Sequence, residues 1–468
     1  MTRQSTIALL GITLLLSGVA PMVQAQTPPA PESTVTPMTQ ALELYNTGVS
    51  RFDNGDYSRA IADFNEAIRL RPDYAEAFMY RGAAYSELGE LGEAIASLNE
   101  AIRLNPTLAR AYILRARAYY ELGNTAQALA DAREALIHDP TLADAHLYKG
   151  LVALQEGNNT LAVTEFTEAI RQRPDETSGY LLRGFAYSRV ANYTGAIADF
   201  TTVLEQEPND VVAYIGRGAA HYNRGSLDAA ERDFDTALRL NQGLPNAYYN
   251  RSFVYAAQNR PRRATEDLNQ AIRLNPDFVP AYVGRGRLLA FQQSHALAIE
   301  DYTRALALDP NTVSAYQYRA ESRLALNDVP GAIADYSQAI ALDPNAAPLY
   351  KARGDAKLRI GDTFGALEDY DQAIARQPNY SAAYSARGRL YANLGDAQRA
   401  YDDLSLVIAS STPSNSVDPD VLYTRGQSRL RLGDFAGARV DFERAAERYL
   451  ETGQAEGYRR TLDQLRSL

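Results

Sequence analysis

The sequence predicts an all-α solenoid, a stack of about twelve helical hairpins, and three periodic observations carry that prediction. Alanine returns every 34 residues at Ala60, Ala94, Ala128, Ala162, Ala196, Ala230, Ala264, Ala298, Ala332, Ala366 and Ala400, with Ala438 four residues late. Proline keeps the same period at Pro72, Pro106, Pro140, Pro174 and Pro208, then at Pro276, Pro310, Pro344 and Pro378, with Gln242 in the empty slot. A small residue also stands twelve before each alanine, as at Gly48, Gly82, Gly150, Gly184, Gly218, Gly286, Gly354, Gly388 and Gly426, with Ala116, Ser252 and Ala320 in the remaining units. A period of this length, with small residues at fixed points, marks units that bury their apolar faces only against their neighbours. The 468 residues therefore read as one elongated array.

Taken in order, residues 1–25 have the layout of a secretory signal peptide: Arg3 near the start, an apolar run from Ile7 to Ala20, and Val23-Gln24-Ala25 as a small-x-small site. Cleavage after Ala25 is expected, because the apolar run is shorter than the ~20 residues of a membrane-spanning helix. Residues 26–40, with Pro28, Pro29, Pro31 and Pro37 among Thr and Ser, read as a flexible linker. The array then covers 41–449, its units starting near 41, 75, 109, 143, 177, 211, 245, 279, 313, 347, 381 and 419.

Residues 75–108 show what one unit requires. Helix A is expected over Ala75–Leu88 and helix B over Leu91–Leu104, with Gly89 between them and Pro106 closing the unit. A glycine at that corner enters the left-handed region without Cβ strain, and Gly55, Gly123, Gly157, Gly225, Gly361, Gly395 and Gly433 recur there. Asn192, Asn259 and Asn327 stand at or beside the corner as substitutes. A large side chain on helix B, such as Phe64, Leu98, Phe166 or Tyr302, fills the space between helices; Ala132 in the third unit is the exception and predicts looser packing. The spacing breaks once, where Ala409 to Asp418 adds four residues in a loop between hairpins. Residues 450–468 place Tyr458, Leu462 and Leu465 at helical spacing among polar residues and predict a C-terminal capping helix.

Gly82, Tyr85, Ala94, Leu98, Ala101 and Pro106 occupy the signature places of a known motif, and the chain resembles the tetratricopeptide repeat family over residues 41–449. The resemblance implies an α-α superhelix in which helix A lines a concave groove, and a protein–protein interaction scaffold that binds a partner segment there. Transferred to this sequence, the groove positions are Leu147, Leu151, Leu154, Leu181, Phe185, Ile215, Tyr222, Tyr249 and Phe253, an apolar stretch. Further along they are Arg287, Lys351, Arg359, Arg389 and Arg431, with Arg323, Lys357 and Arg429 where the motif prefers tyrosine. Such a groove suits a polypeptide segment carrying hydrophobic anchors and acidic residues. The complete Lys/Asn set with which chaperone-binding members grip a terminal carboxylate is not present.

A second regularity concerns charge. Helix A carries a base at Arg81, Arg115, Lys149, Arg183, Arg217, Arg251, Arg285, Arg319, Arg353, Arg387 and Arg425, and helix B an acid at positions such as Asp63, Asp131, Glu165, Asp199, Asp233 and Asp441. Thr47 stands where the first unit's base belongs, and the 34-residue count from Arg425 reaches Arg459. Those two exceptions predict pairing between one unit's helix B and the next unit's helix A, with Asp441 meeting Arg459.

Other chemistry finds no support. The chain has no cysteine, and its four histidines, His138, His146, His221 and His295, show no metal-ligand spacing, so neither a metal nor a cofactor is expected. No nucleophile, base or phosphate-cradling loop is evident, so the chain does not read as an enzyme. A net charge of −10 disfavours nucleic acid and anionic membrane surfaces. The expected protein is an exported, monomeric scaffold without a permanent membrane anchor, in a bacterial periplasm or secreted. The alternatives are a self-associating structural component of the cell envelope and an enzyme with an unrecognised site.

Overall fold

The computed structural model describes residues 36–410 and 417–468. The expected signal peptide, the linker up to residue 35 and positions 411–416 of the inserted stretch lie outside the described residues. Within them every element is an α-helix, numbered α1 to α25 in chain order. The chain divides into two units, one ending at Gln258 and the other beginning at Asn259. The first holds α1 (Pro37–Asp53) to α13 (Pro245–Ala257), the second α14 (Pro261–Leu274) to α25 (Ala455–Ser467). Through α24 (Phe435–Glu451), odd-numbered helices are the A helices and even-numbered ones the B helices of successive repeats.

The hairpin expected at 75–108 forms as α3 (Ala75–Glu87) and α4 (Leu91–Leu104). The first helix begins earlier than the expected boundary at 41, because Thr36-Pro37 is itself a start signal. The Thr36 hydroxyl accepts from the Thr39 amide at 3.2 Å and Pro37 supplies a first-turn residue with no N–H to satisfy. Residues 37–40 are thus helix and not linker.

Each corner uses one left-handed residue. Gly89 has φ +76°, and Asn259 and Asn327 take its place at +57° and +63°. Asn192 does not; Ala191 turns the corner at φ +58°, while the Asn192 side chain accepts from the Gly195 amide at 3.0 Å to cap the next helix. Within the hairpin, the small residue of helix A makes room for the large one of helix B. A Cβ on Gly150 would lie 2.4 Å from the Phe166 ring, and one on Gly286 would lie 2.6 Å from Tyr302. Where the large residue is Ala132, the register-equivalent small residue is Ala116, and both are fully buried.

The charge ladder exists, but its register corrects the sequence reading: the ion pairs lie within repeats. Arg217 Nη2 meets Asp233 Oδ1 at 2.8 Å while Nε meets Oδ2 at 2.9 Å. The same pairing joins Arg115–Asp131, Lys149–Glu165 and Arg183–Asp199 in the first unit. In the second it joins Arg285–Asp301, Arg319–Asp335, Arg353–Asp369, Arg387–Asp403 and Arg425–Asp441. A tyrosine one turn earlier faces most of these guanidiniums, as Tyr214 does Arg217 at 5.5 Å. Hydrogen bonding to Asp233, against the opposing cost of burial, holds the Arg217 guanidinium above its ordinary pKa.

The remaining nitrogen of the arginine reaches backwards across the seam between repeats. Arg217 Nη1 donates to Thr201 at 3.1 Å and Arg183 Nη1 to Thr167 at 3.2 Å, each acceptor lying two residues after the previous repeat's acid. At Arg251–Asp235 and Arg387–Asp371 that link is itself an ion pair. Arg81 is the odd member: its helix B partner is Ser97, at 3.1 Å, and burial without a countercharge lowers its pKa. Arg459 does not meet Asp441; its Nε donates to the Ala455 carbonyl at 3.4 Å.

Candidate functional site

Within each unit, most A helices approach their successors more closely than B helices do. In the first unit α3 packs on both α1 and α5 (Ala109–Glu121), α5 on α7 (Ala143–Gln155), and α11 (Val211–Arg224) on both α9 (Thr177–Arg189) and α13. In the second, α15 (Val279–Phe291) packs on α17 (Val313–Ala325), and α21 (Ser381–Leu394) on both α19 (Ala347–Arg359) and α23 (Pro419–Arg431). No two consecutive B helices within a unit pack to that extent. Shorter spacing on one side bends a stack towards that side, so the A helices form the inner face of each unit and the inner face is the candidate site.

The structure sorts the expected groove residues into two sets. Leu147, Leu181, Ile215 and Tyr249 are buried, at 1–8 % exposure, and this corrects the reading of them as partner contacts. The same A-to-A packing that makes an inner face also covers the side chains pointing along it. Leu151, Leu154, Phe185, Tyr222 and Phe253 are half-buried and form the accessible apolar part. Their rings hold one another in place: Phe185 lies edge-on to Phe200 at 5.0 Å, and Phe253 edge-on to Tyr249 at 4.8 Å.

In the second unit Arg287, Arg359, Arg389 and Arg431 are exposed and Lys351 is half-buried. Their charge is partly spent. Lys351 pairs with Asp355 at 2.6 Å, and Arg389 lies 3.8 Å from Asp420. Arg431 donates to the Ala392 carbonyl at 2.8 Å and Arg359 to that of Leu324 at 3.4 Å, so each satisfies a carbonyl near the C-terminus of the preceding A helix. Arg287 stacks on Tyr318 at 5.0 Å. Arg323, Lys357 and Arg429 turn away from this face and reach their own repeats' aspartates Asp335, Asp369 and Asp441 at 2.8, 2.9 and 3.3 Å.

Two inner-face groups went unread in the sequence. Arg117 bridges Glu87 at 2.7 Å and Glu121 at 2.9 Å, at the helix position that Leu151 holds in the next repeat. Asp420 collects the Tyr449 hydroxyl and Arg460, the latter at 3.2 Å, tying α25 back onto α23. The single signal for Arg117 was its place in the repeat, and Arg460 had none, since α25 follows no 34-residue count. The expected seal is otherwise present: Tyr458 and Leu465 pack on the cluster around Phe442 and Tyr449.

Among the described residues no group of histidine, aspartate or glutamate is arranged to hold a metal ion, and no helix is long and apolar enough to cross a membrane. The family model for the tetratricopeptide repeat matches residues 45–109, 113–177, 181–245, 254–313 and 351–415, and two related repeat models match 320–361 and 420–449. No curated protein matches the chain. Among solved structures, the chain is similar to yeast Tom70, with 20 % identity over 90 % of this chain and 96 % of that one at a TM-score of 0.44. A tetratricopeptide repeat protein from Parabacteroides merdae shares 22 % identity over 53 % of this chain and 99 % of its own, at 0.42. YrrB, described as a TPR protein with an unusual peptide-binding site, shares 26 % over 39 % and 95 %, at 0.35.

Proposed function

Because the chain belongs to the tetratricopeptide repeat family, we propose that it is a protein–protein interaction scaffold that takes a segment of a partner polypeptide along its inner, helix A face. The observation that carries this reading is the close A-to-A packing within each unit, which presents half-buried Leu151, Leu154, Phe185, Tyr222 and Phe253 on one unit and exposed arginines on the other. The apolar set suits hydrophobic anchors of the partner. Arg287 and Arg389 suit its carboxylates. No catalytic role is proposed.

The test is site-specific photocrosslinking in the native host. Crosslinkers at Leu154 and Tyr222 in the first unit, and at Arg287 and Arg389 in the second, should each capture a partner polypeptide, and Arg287→Glu with Arg389→Glu should reduce the yield from the second unit. Crosslinkers on exposed B-helix positions Ala130, Thr164 and Ala198 should not capture it. Equal capture from both faces would overturn the assignment.

We further propose that the protein is exported and monomeric. The export proposal rests on Arg3, the apolar run Ile7–Ala20 and the Val23-Gln24-Ala25 site. N-terminal sequencing of the protein from fractionated cells tests it, with Gln26 expected as the first residue. Light scattering across a concentration series tests the monomer; a mass that grows with concentration would favour a self-associating envelope component.

A further inference from the structure

We propose that the seam between the third and fourth repeats is a built-in hinge in the first unit, opening on the B-helix side while the A helices stay in contact. At the other seams in this unit, the helix A arginine of one repeat hydrogen-bonds the helix B residue two past the previous repeat's ladder position, which is an acid except at Ser97: Arg81–Asn65, Arg115–Asn99, Arg183–Thr167, Arg217–Thr201 and Arg251–Asp235. At the seam between α6 (Thr125–His138) and α7 the same register brings Arg133 opposite Lys149. Two donors with like charge stand where a donor and an acceptor stand elsewhere. Lysine also lacks the second arm that the link requires, since its one nitrogen is committed to Glu165 at 2.8 Å.

Two neighbouring departures accompany this one. His146 replaces the tyrosine or phenylalanine that faces the base in most other repeats, and shares Glu165 with Lys149 at 2.8 Å. Ala132 replaces the phenylalanine, tyrosine or leucine that helix B carries at this place in the other repeats, on the upstream side of the seam. The inner side of the seam is intact: α5 packs on α7, and Tyr120 meets Tyr148 with ring centroids 6.2 Å apart. A seam held along one edge and unclasped along the other pivots about the held edge. The pivot lies where α7 carries Leu147, Leu151 and Leu154, so opening the outer side would change the curvature of the inner face there. The inference does not depend on what that face binds.

Hydrogen exchange on the full chain, read by mass spectrometry, tests it. Amides in α6 and α7 should exchange at least about tenfold faster than those flanking the next seam, in α8 (Asn159–Gln172) and α9. Arg133→Asn with Lys149→Arg, which restores the usual pair, should remove most of that difference. Thr201→Arg with Arg217→Lys should create a second fast-exchanging seam further along. Because the chain has no cysteine, spin labels can be placed at Ala130→Cys and Thr164→Cys across the seam, and at Thr164→Cys and Ala198→Cys across the next. The first pair should give the broader distance distribution. Equal exchange at both seams and equal distance widths in the unaltered chain would overturn the hinge, as would a restored pair that folds and leaves exchange unchanged.

Discussion

The register of the ion-pair ladder can be tested by asking which arginine Asp233 feels. The Asp233 side chain is 9 % exposed and accepts two hydrogen bonds from Arg217, whose side chain is 21 % exposed. Removing one partner of a buried pair costs about 3–5 kcal/mol, and the partial exposure of Arg217 points to the lower end of that range. Because the two bonds are lost together, Asp233→Ala and Arg217→Ala should share most of that cost, giving a coupling of about 1.5–3 kcal/mol in a double-mutant cycle. Arg251, in the next repeat, donates instead to Asp235 at 2.6 Å. Its coupling to Asp233 should stay below about 0.5 kcal/mol, the scatter expected of independent sites. The assay is urea unfolding followed by far-UV circular dichroism and fitted with a nearest-neighbour repeat scheme, since a long array need not unfold in one step. A coupling of Asp233 to Arg251 as large as that to Arg217 would refute the within-repeat register.

Three more outcomes follow from the same structure. Ser97→Asp should stabilise the second repeat by about 1 kcal/mol, by giving the half-buried Arg81 the carboxylate that its counterparts have; a loss in thermal denaturation would mean that the site has no room for the pair. Ala191→Gly and Gln293→Gly should each add roughly 0.5–1 kcal/mol, because both residues hold a left-handed backbone that strains a Cβ, at φ +58° and +64°. The same assay reads this, and lower melting temperatures would contradict it. The third outcome concerns pH. Burial lowers the pKa of His221, with Asp233 opposing, so the folded chain resists protonation more than the unfolded chain does. Its contribution to stability should be constant above about pH 7 and fall as pH drops through the unfolded value near 6.5. His221→Tyr, the residue found at this place as Tyr187 and Tyr255, should flatten that part of the curve; an unchanged slope would exclude His221 as its source.

The hairpins were legible because every determinant of a hairpin lies within one repeat and recurs. Gly89 at the corner, Gly82 beneath the Leu98 side chain and the proline after helix B are each a local choice. The ladder's membership was legible for the same reason, but its register was inferred from the two ends, where local rules fail. Thr47 lacks a charge, yet Arg51, one turn later on α1, reaches Asp63 at 2.7 and 2.6 Å and restores the within-repeat pair. At the other end α24 runs for 17 residues where α22 (Ala397–Ser410) runs for 14, so the 34-residue count slips before it reaches Arg459. The candidate site was legible by helix face but not by depth. Leu147 and Leu151 lie on the same helix, one turn apart, and only the position of the neighbouring A helices decides that the first is covered and the second is not.

Arg217 and Asp233 are sixteen residues apart, and so are Gly150 and Phe166. When the strongest contacts of a chain close such short loops, little entropy is spent before they form. Each repeat can therefore acquire its shape while the next is still being synthesised, and no late, distant pairing is needed to lock the chain. The same property makes length adjustable. A duplication or deletion of one whole period would leave every remaining hairpin with the contacts it closes within itself, so relatives of different reach can arise in steps of one hairpin without a new core being invented.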